Sequence, residues 1–590
     1  MKEFFKFTFA SMLGFLLASL VAFIILIALI ASVASFSKQD KVVVHEKTIL
    51  HLTFDSQVSD REPENPFASF NFNDMDATRP LGLNEILASL KKAASDSKVK
   101  GIFLDLSFIP ADIATVEEIR NGLLEFKKSG KFIISYSEMY TQKSYYLASL
   151  SDKIYLHPVG SMEFKGLTGK VIFFKGMLEK LDIEPQVIRH GKFKSAVEPF
   201  IMDKMSEASR EQTLSFVTAI WHQMLKGISE SRKIPADQLT TIADNFQLQT
   251  PEDAIKLNFV DKLIYKDELL EELKSTVGAT AIKDLKLMKL TKYIGSKEKD
   301  TESKGSGDRI AVIYTSGNII SGEGQEGSIG SERISRAIRK ARMDEKVKAI
   351  VLRVNSPGGS ALASDVIWRE VVLSKKTKPV VVSMGDVAAS GGYYISCAAT
   401  KIFASPNTLT GSIGVFGIIP NTEKFFNNNF GITFDKVKTN PYADYIPMTR
   451  PLNQEEKKFL SREVEDIYST FIGHVAEGRK MTLAEVDSIG QGRVWSGTDA
   501  KRIGLVDEFG GLEDAIKEAA KLAKLTDYKL INLPALKDPF TRIIETLSGD
   551  NTSILLKKQL GPAYEYYNYL NQMSRMKGIQ AMMPFDISVE

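Results

Sequence analysis

Two glycine-rich segments in the second half of the chain carry the residue types that acyl transfer needs. Asn355-Ser-Pro-Gly-Gly-Ser360 closes an apolar run. Adjacent glycines at a strand end let the backbone turn so that N–H groups face a cavity. Such groups stabilise a developing oxyanion by around 3 kcal/mol per donor. An ordinary turn uses the same residues. Further on, Gly385-Asp-Val-Ala-Ala-Ser-Gly-Gly-Tyr-Tyr394 sets Ser390 between Ala389 and Gly391 at the start of an expected helix. Small neighbours leave the hydroxyl open to attack a carbonyl, and the Gly391 N–H stands behind it. A serine at a helix start is otherwise an N-cap. Two glycine-rich strand ends in succession favour a site over a cap.

A serine nucleophile needs a base. His474 is the only histidine after Ser390, and it falls within an amphipathic helical pattern. An α/β-hydrolase order of serine, acid and histidine would have to use it. The surroundings of Ser390 are not GxSxG, since Ala388 holds the first glycine position. A lysine is the other option, provided that burial lowers its pKa towards neutrality. Metal chemistry has little support: the histidines (45, 51, 157, 190, 222 and 474) show no ligand spacing, and Cys397 is the only cysteine. One cysteine also excludes an internal disulfide and a cysteine-based cluster. No cofactor is expected.

Strands and helices must position these groups. Ile310–Tyr314, Ala349–Val354, Val380–Met384 and Lys401–Ala404 are continuous apolar runs, whereas Arg333–Arg342 and Ser360–Leu373 have helical spacing. This alternation predicts βαβ units around a parallel sheet with helices on its faces. The order also repeats. Asp96-Ser-Lys-Val-Lys-Gly-Ile-Phe-Leu-Asp-Leu106 matches Asp344-Glu-Lys-Val-Lys-Ala-Ile-Val-Leu-Arg-Val354 at an offset of 248, and Tyr145-Tyr146 falls on Tyr393-Tyr394. Arg232-Lys233 and Arg479-Lys480, then Val260-Asp261 and Val506-Asp507, keep nearly that register. Long amphipathic helices are expected at 211–233 and 454–480. At the repeat offset Ser390 maps to Gln142, and Gly358-Gly359 map to Pro110-Ala111, so the first half has neither nucleophile nor glycine loop. It does carry His190-Gly-Lys-Phe-Lys-Ser-Ala-Val-Glu-Pro-Phe200, whose counterpart near Pro441-Tyr-Ala443 has no lysine. Lys192 and Lys194 are the candidates this comparison leaves.

The first residues address a membrane. No charge occurs from Phe7 to Ser37, and Met12 to Val33 is apolar. About 20 such residues span a hydrocarbon core of ~30 Å. A cleavable signal peptide is the competing reading, but its apolar part is shorter. The expected division is a short cytoplasmic tail (1–8), an anchor (9–35), one repeat (45–295), a linker (296–308) and a second repeat (309–590). Lys2 and Lys6 favour an inner N-terminus, with the body outside. The composition of the whole 590-residue chain is that of a globular protein, 44% hydrophobic and 25% charged. A net charge of only +3 gives no support to nucleic-acid binding.

With these motifs the chain resembles the signal peptide peptidase A family in its long, duplicated bacterial form. The resemblance rests on the N-terminal anchor, FKSAVEPF in the first half, and NSPGGS, GDVAASGGYY, LTGSIGVFG and GRVWSGTDAKRIGLVDEFGG in the second, with a terminal MMPFDI. It implies an α/β fold of two tandem ClpP/crotonase-like domains, each a spiral of ββα units, after a transmembrane helix. It further implies a membrane-anchored serine endopeptidase with a Ser/Lys dyad that degrades signal peptides left in the inner membrane. Ser390 would be the nucleophile, Lys194 the general base and acid, and Ser412 the hydroxyl orienting the lysine. Gly391 with Gly358 or Gly359 would form the oxyanion hole. A homo-oligomer, tetrameric in the long form, is implied as well. A peptide substrate is expected to pair with a strand edge. A crotonase-like acyl-CoA hydratase or thioesterase, and an inactive membrane scaffold, are the alternatives.

Overall fold

The structure is a computed structural model. It describes residues 2–37, 42–62, 81–296, 307–324 and 327–536, and beyond these 556, 559–561, 564, 567, 578–583 and 588–589. The chain opens with a helix, Lys2–Ser37, so residues expected as a tail are helical too. Within it Glu3–Val21 has a mean hydropathy of 1.8 and is wholly unburied. Of the expected linker, 297–306 lie outside the described residues, while Ser296 is buried against the first half.

Each half is built on a mainly parallel sheet. In the first, the strand order is Lys262–Leu263, Lys153–Met162, Phe132–Tyr140, Val99–Asp105, Thr48–Leu52, Leu287–Lys289, all parallel. In the second, Leu409–Gly411, Val380–Ala389, Val347–Ser356, Arg309–Ser316 and Lys529–Leu533 run parallel, with Val494–Ser496 antiparallel at one edge. Runs such as Val380-Val-Val are buried on both faces, which is why they read as continuous apolar stretches. The repeat holds in space. Helix Ile113–Lys127 corresponds to Ala361–Lys375, and the long helix Glu207–Arg232 to Gln454–Arg479. Ser206 and Asn453 cap the two long helices at their starts, and Lys233 and Lys480 end them in the left-handed conformation.

One expected boundary differs. The strand drawn at Val380–Met384 continues to Ala389, because Val387–Ala389 pair with Leu409–Gly411. The serine therefore sits at the end of a longer, better anchored strand.

The halves are interlocked. A further sheet runs Ser328–Gly330, Asn318–Ile320, Gly358–Ser360, Gln580–Met582, Phe416–Asn421, Glu184–Arg189. Its last strand comes from the first half and pairs antiparallel with Phe416–Asn421 from Phe416↔Arg189 to Asn421↔Glu184. Elsewhere Arg353, fully buried, meets Asp60 (2.7 Å) and Glu118 (2.6 Å) of the first half. Burial pushes the Glu118 carboxyl up, against the pull of Arg353. Met582 and Met583 are core residues; within 563–569, a stretch with four tyrosines, only Tyr564 and Tyr567 are described, and Tyr567 is exposed.

Candidate active site

Ser390 lies between strand Val380–Ala389 and the short helix Gly391–Ser396. Its hydroxyl makes no capping bond, so the N-cap reading does not hold. Its backbone has φ 54° and ψ −112°, a strained region for a side-chain-bearing residue. The Ser390 N–H donates to the Gly411 carbonyl at 2.8 Å, which helps to hold that turn. Its hydroxyl lies 3.3 Å from the Gly414 carbonyl oxygen.

The strand pairing of Glu184–Arg189 with Phe416–Asn421 delivers the next residues to this point. Lys194 Nζ lies 2.9 Å from Ser390 Oγ, 3.0 Å from Ser412 Oγ and 3.1 Å from the Ser412 carbonyl oxygen. All three residues are fully buried. Burial alone pushes the Lys194 amine well below its ordinary range, and no charged neighbour contributes. A neutral amine has two N–H donors and one lone pair. Three contacts match that inventory: the carbonyl and hydroxyl of Ser412 accept, and the Ser390 hydroxyl can give its proton to the lone pair. Ser412 also has a positive φ, 49°, and its N–H donates to Arg493 O at 2.7 Å.

Lys192 is not part of this group; its ammonium lies over the Phe193 ring. His474 is not the base either: it bonds Asp365 at 3.1 Å and stacks on Trp368.

The glycine loop lies beside the serine. Gly358 has φ 108°, and a Cβ there would come within 2.8 Å of the Gly391 nitrogen and overlap the Ala581 carbonyl oxygen. Gly391 opens its helix, so its N–H has no intrahelical acceptor. Gly358–Ser360 pairs antiparallel with Gln580–Met582. Met583 N–H donates to Pro357 O, and Ala361 N–H to Ile579 O. The alternation of an antiparallel ladder then makes Gly359 and Ala581 a hydrogen-bonded pair. The Gly359 N–H is thus directed at Ala581 O. The strand edge beside the glycine loop, where a peptide was expected to pair, is filled by the chain's own strand Gln580–Met582.

Sequence reasoning assigned no role to the loop Gly490-Gln-Gly-Arg493. Gly492, with φ 79°, packs on the backbone of Lys194, where a Cβ would come within 2.7 Å of its Cα. The Phe193 N–H donates to Gln491 O at 2.9 Å. Gly492, which opens the quoted motif GRVWSG, and Gly490 just before it were the available signal.

The Peptidase family S49 profile matches twice, at 125–280 and 373–526, and the Clp protease profile matches 307–410. The chain belongs to peptidase family S49. It is 40% identical over 489 residues to Protease 4 of Salmonella typhi, covering 81% of this chain and 78% of that one. It is 34% identical over 550 residues to Protease 4 of Haemophilus influenzae (90% and 88%). It is 33% identical over 548 residues to the chloroplastic serine protease SPPA of Arabidopsis thaliana (92% and 78%). This S49 peptidase is a long, duplicated form with Clp protease-like α/β domains. It is a serine protease, and that activity replaces the acyl-CoA and scaffold readings.

Proposed function

We propose that this S49 peptidase is a membrane-tethered endopeptidase that cleaves apolar peptides, in the first place signal peptides left in the bilayer, with Ser390 as nucleophile and Lys194 as base. One observation carries the reading: a buried amine from the first repeat stands 2.9 Å from the Ser390 hydroxyl of the second. Lys194 takes the Ser390 proton as Oγ attacks the scissile carbonyl. The resulting ammonium then gives its proton to the leaving amine, and water repeats the sequence on the acyl-enzyme. Ser412 holds two of the amine's contacts and so aims its lone pair. The oxyanion is received by the Gly391 N–H, whereas the Gly358 N–H beside it is taken by Ser356 Oγ at 3.1 Å. The Gly359 N–H joins only where a peptide carbonyl takes the place of that of Ala581.

An apolar substrate suits a lysine base, since it keeps water from the amine. The unburied apolar helix at the N-terminus suits a protease whose substrates lie in the membrane. On the same reading the N-terminus is cytoplasmic, the body lies outside the inner membrane, and the chain assembles into a homo-oligomer, a tetramer.

A fluorophosphonate that phosphonylates active serines with loss of fluoride, applied to the detergent-solubilised full chain, tests the dyad. The wild type is expected to be labelled at Ser390 and to hydrolyse a synthetic signal peptide. Ser390→Ala and Lys194→Ala are each expected to lose both. Turnover by either variant at the wild-type rate refutes the assignment.

A further inference from the structure

We infer that Gln212 is a further positioning residue of this site: its side-chain amide clasps the lysine-bearing segment of the first repeat to the serine-bearing frame of the second. The inference rests on the reading of Lys194 as the base.

Gln212 belongs to the long helix Glu207–Arg232 and is 1% exposed. Its Nε2 donates to the Phe193 carbonyl at 3.0 Å and to Ser195 Oγ at 2.8 Å, the residues on either side of Lys194. Its Oε1 accepts the Val494 N–H of the second half at 3.0 Å. Chemistry fixes this orientation, because the reversed amide would set its oxygen against the Phe193 carbonyl. Both donors and the acceptor are therefore engaged on the lysine segment and the opposite repeat.

Val494 leads on to the rest of the site. It pairs with Gly411, whose carbonyl accepts the Ser390 N–H, and the adjoining Arg493 carbonyl accepts the Ser412 N–H. One side chain thus closes a ring of bonds through Lys194, Ser390 and Ser412. An amine that must meet a hydroxyl within a few tenths of an ångström has little freedom in such a ring.

The repeat supplies an independent comparison. The long helices are both 26 residues, and the sixth position, Gln212 in one, is Phe459 in the other. Phe459 is 40% exposed. The helix therefore folds without a glutamine there. A buried amide is costly unless fully bonded, and the chain carries that amide only in the repeat that supplies the lysine.

The test uses the detergent-solubilised full chain with Gln212→Met, which keeps the volume, and Gln212→Glu, which keeps the Val494 acceptor but loses both donors. Signal-peptide hydrolysis is followed across pH, with thermal midpoints alongside. Misplacement of the amine by about 1 Å is expected to lower kcat roughly 10- to 100-fold. KM should be unchanged, and the acid limb of the kcat/KM profile should move to higher pH as water reaches the amine. A wild-type kcat and pH profile in both variants overturns the inference. So does loss of fold in both, which would assign Gln212 to stability alone. Lys194→Ala separates the two claims. If it retains turnover, the base assignment fails; if it is inactive while both Gln212 variants keep full turnover, only the positioning role fails.

Discussion

Replacement of Lys194 by methionine should stabilise the protein while it abolishes catalysis. Methionine keeps most of the length and packing of the stem but carries no proton. The buried amine is held well below its ordinary range by desolvation alone. The folded state therefore binds it neutral where the unfolded chain, with a lysine pKa near 10.4, binds it protonated. In that interval the unfolded state holds one more proton at this group, and the Lys194 contribution to wild-type stability rises with pH by about 1.4 kcal/mol per unit. The stability that Lys194→Met gains over the wild type should be greatest at low pH. It should shrink by that slope as pH rises towards ~10.4 and vanish as a proton-linked term above it. Turnover should fall by ~10³-fold or more, since nucleophile and base act as a unit. In the wild type, kcat/KM should rise with pH along a limb centred well below lysine's usual range, then level. Thermal midpoints from pH 6 to 10 and hydrolysis of a fluorogenic apolar peptide, both in detergent, provide the measurements. A stability difference that does not vary with pH, or a variant that turns over normally, refutes the reasoning.

Ser412→Ala removes one acceptor from the amine and leaves the carbonyl at 3.1 Å. It should cost about 1 kcal/mol in transition-state stabilisation, roughly fivefold in kcat, with KM unchanged. Arg353→Leu leaves the Asp60 and Glu118 carboxylates facing each other in the core between the halves. A loss of about 3–5 kcal/mol is expected, seen as a lowered thermal midpoint. Asp386, four residues before the serine, accepts from the Thr115 N–H and hydroxyl at 2.8 and 2.5 Å, and burial pushes its carboxyl up to about 7. Its folded pKa exceeds the unfolded value, so the Asp386 contribution to wild-type stability should fall as pH rises from about 4 to about 7. Asp386→Asn should remove that decline, about 1.4 kcal/mol per unit, in midpoints measured across the range.

Much of the fold is local and was legible. Val380-Val-Val and Ala349-Ile-Val-Leu announce strands because both faces are buried, and the repeated order announces two similar sheets. The limit appears where pairing decides. The strand at Val380 runs past Gly385 and Asp386 to Ala389 because Leu409–Gly411 lies alongside and Ser356 pairs with Ala388. No local pattern shows that Gln580–Met582 inserts beside Gly358–Ser360.

Ser390 was visible in sequence through its small neighbours and the glycines that frame it. Lys194 was visible only through the family motif and through the empty first half. By composition it is one of the 76 lysines and arginines, most of which are solvated. What makes it a base is desolvation and a partner 196 positions away, brought close by the strand Glu184–Arg189 crossing into the other half's sheet. A residue's type and its neighbours along the chain are written in the sequence. The dielectric around an amine, and the hydroxyl it meets, exist only after distant segments have packed.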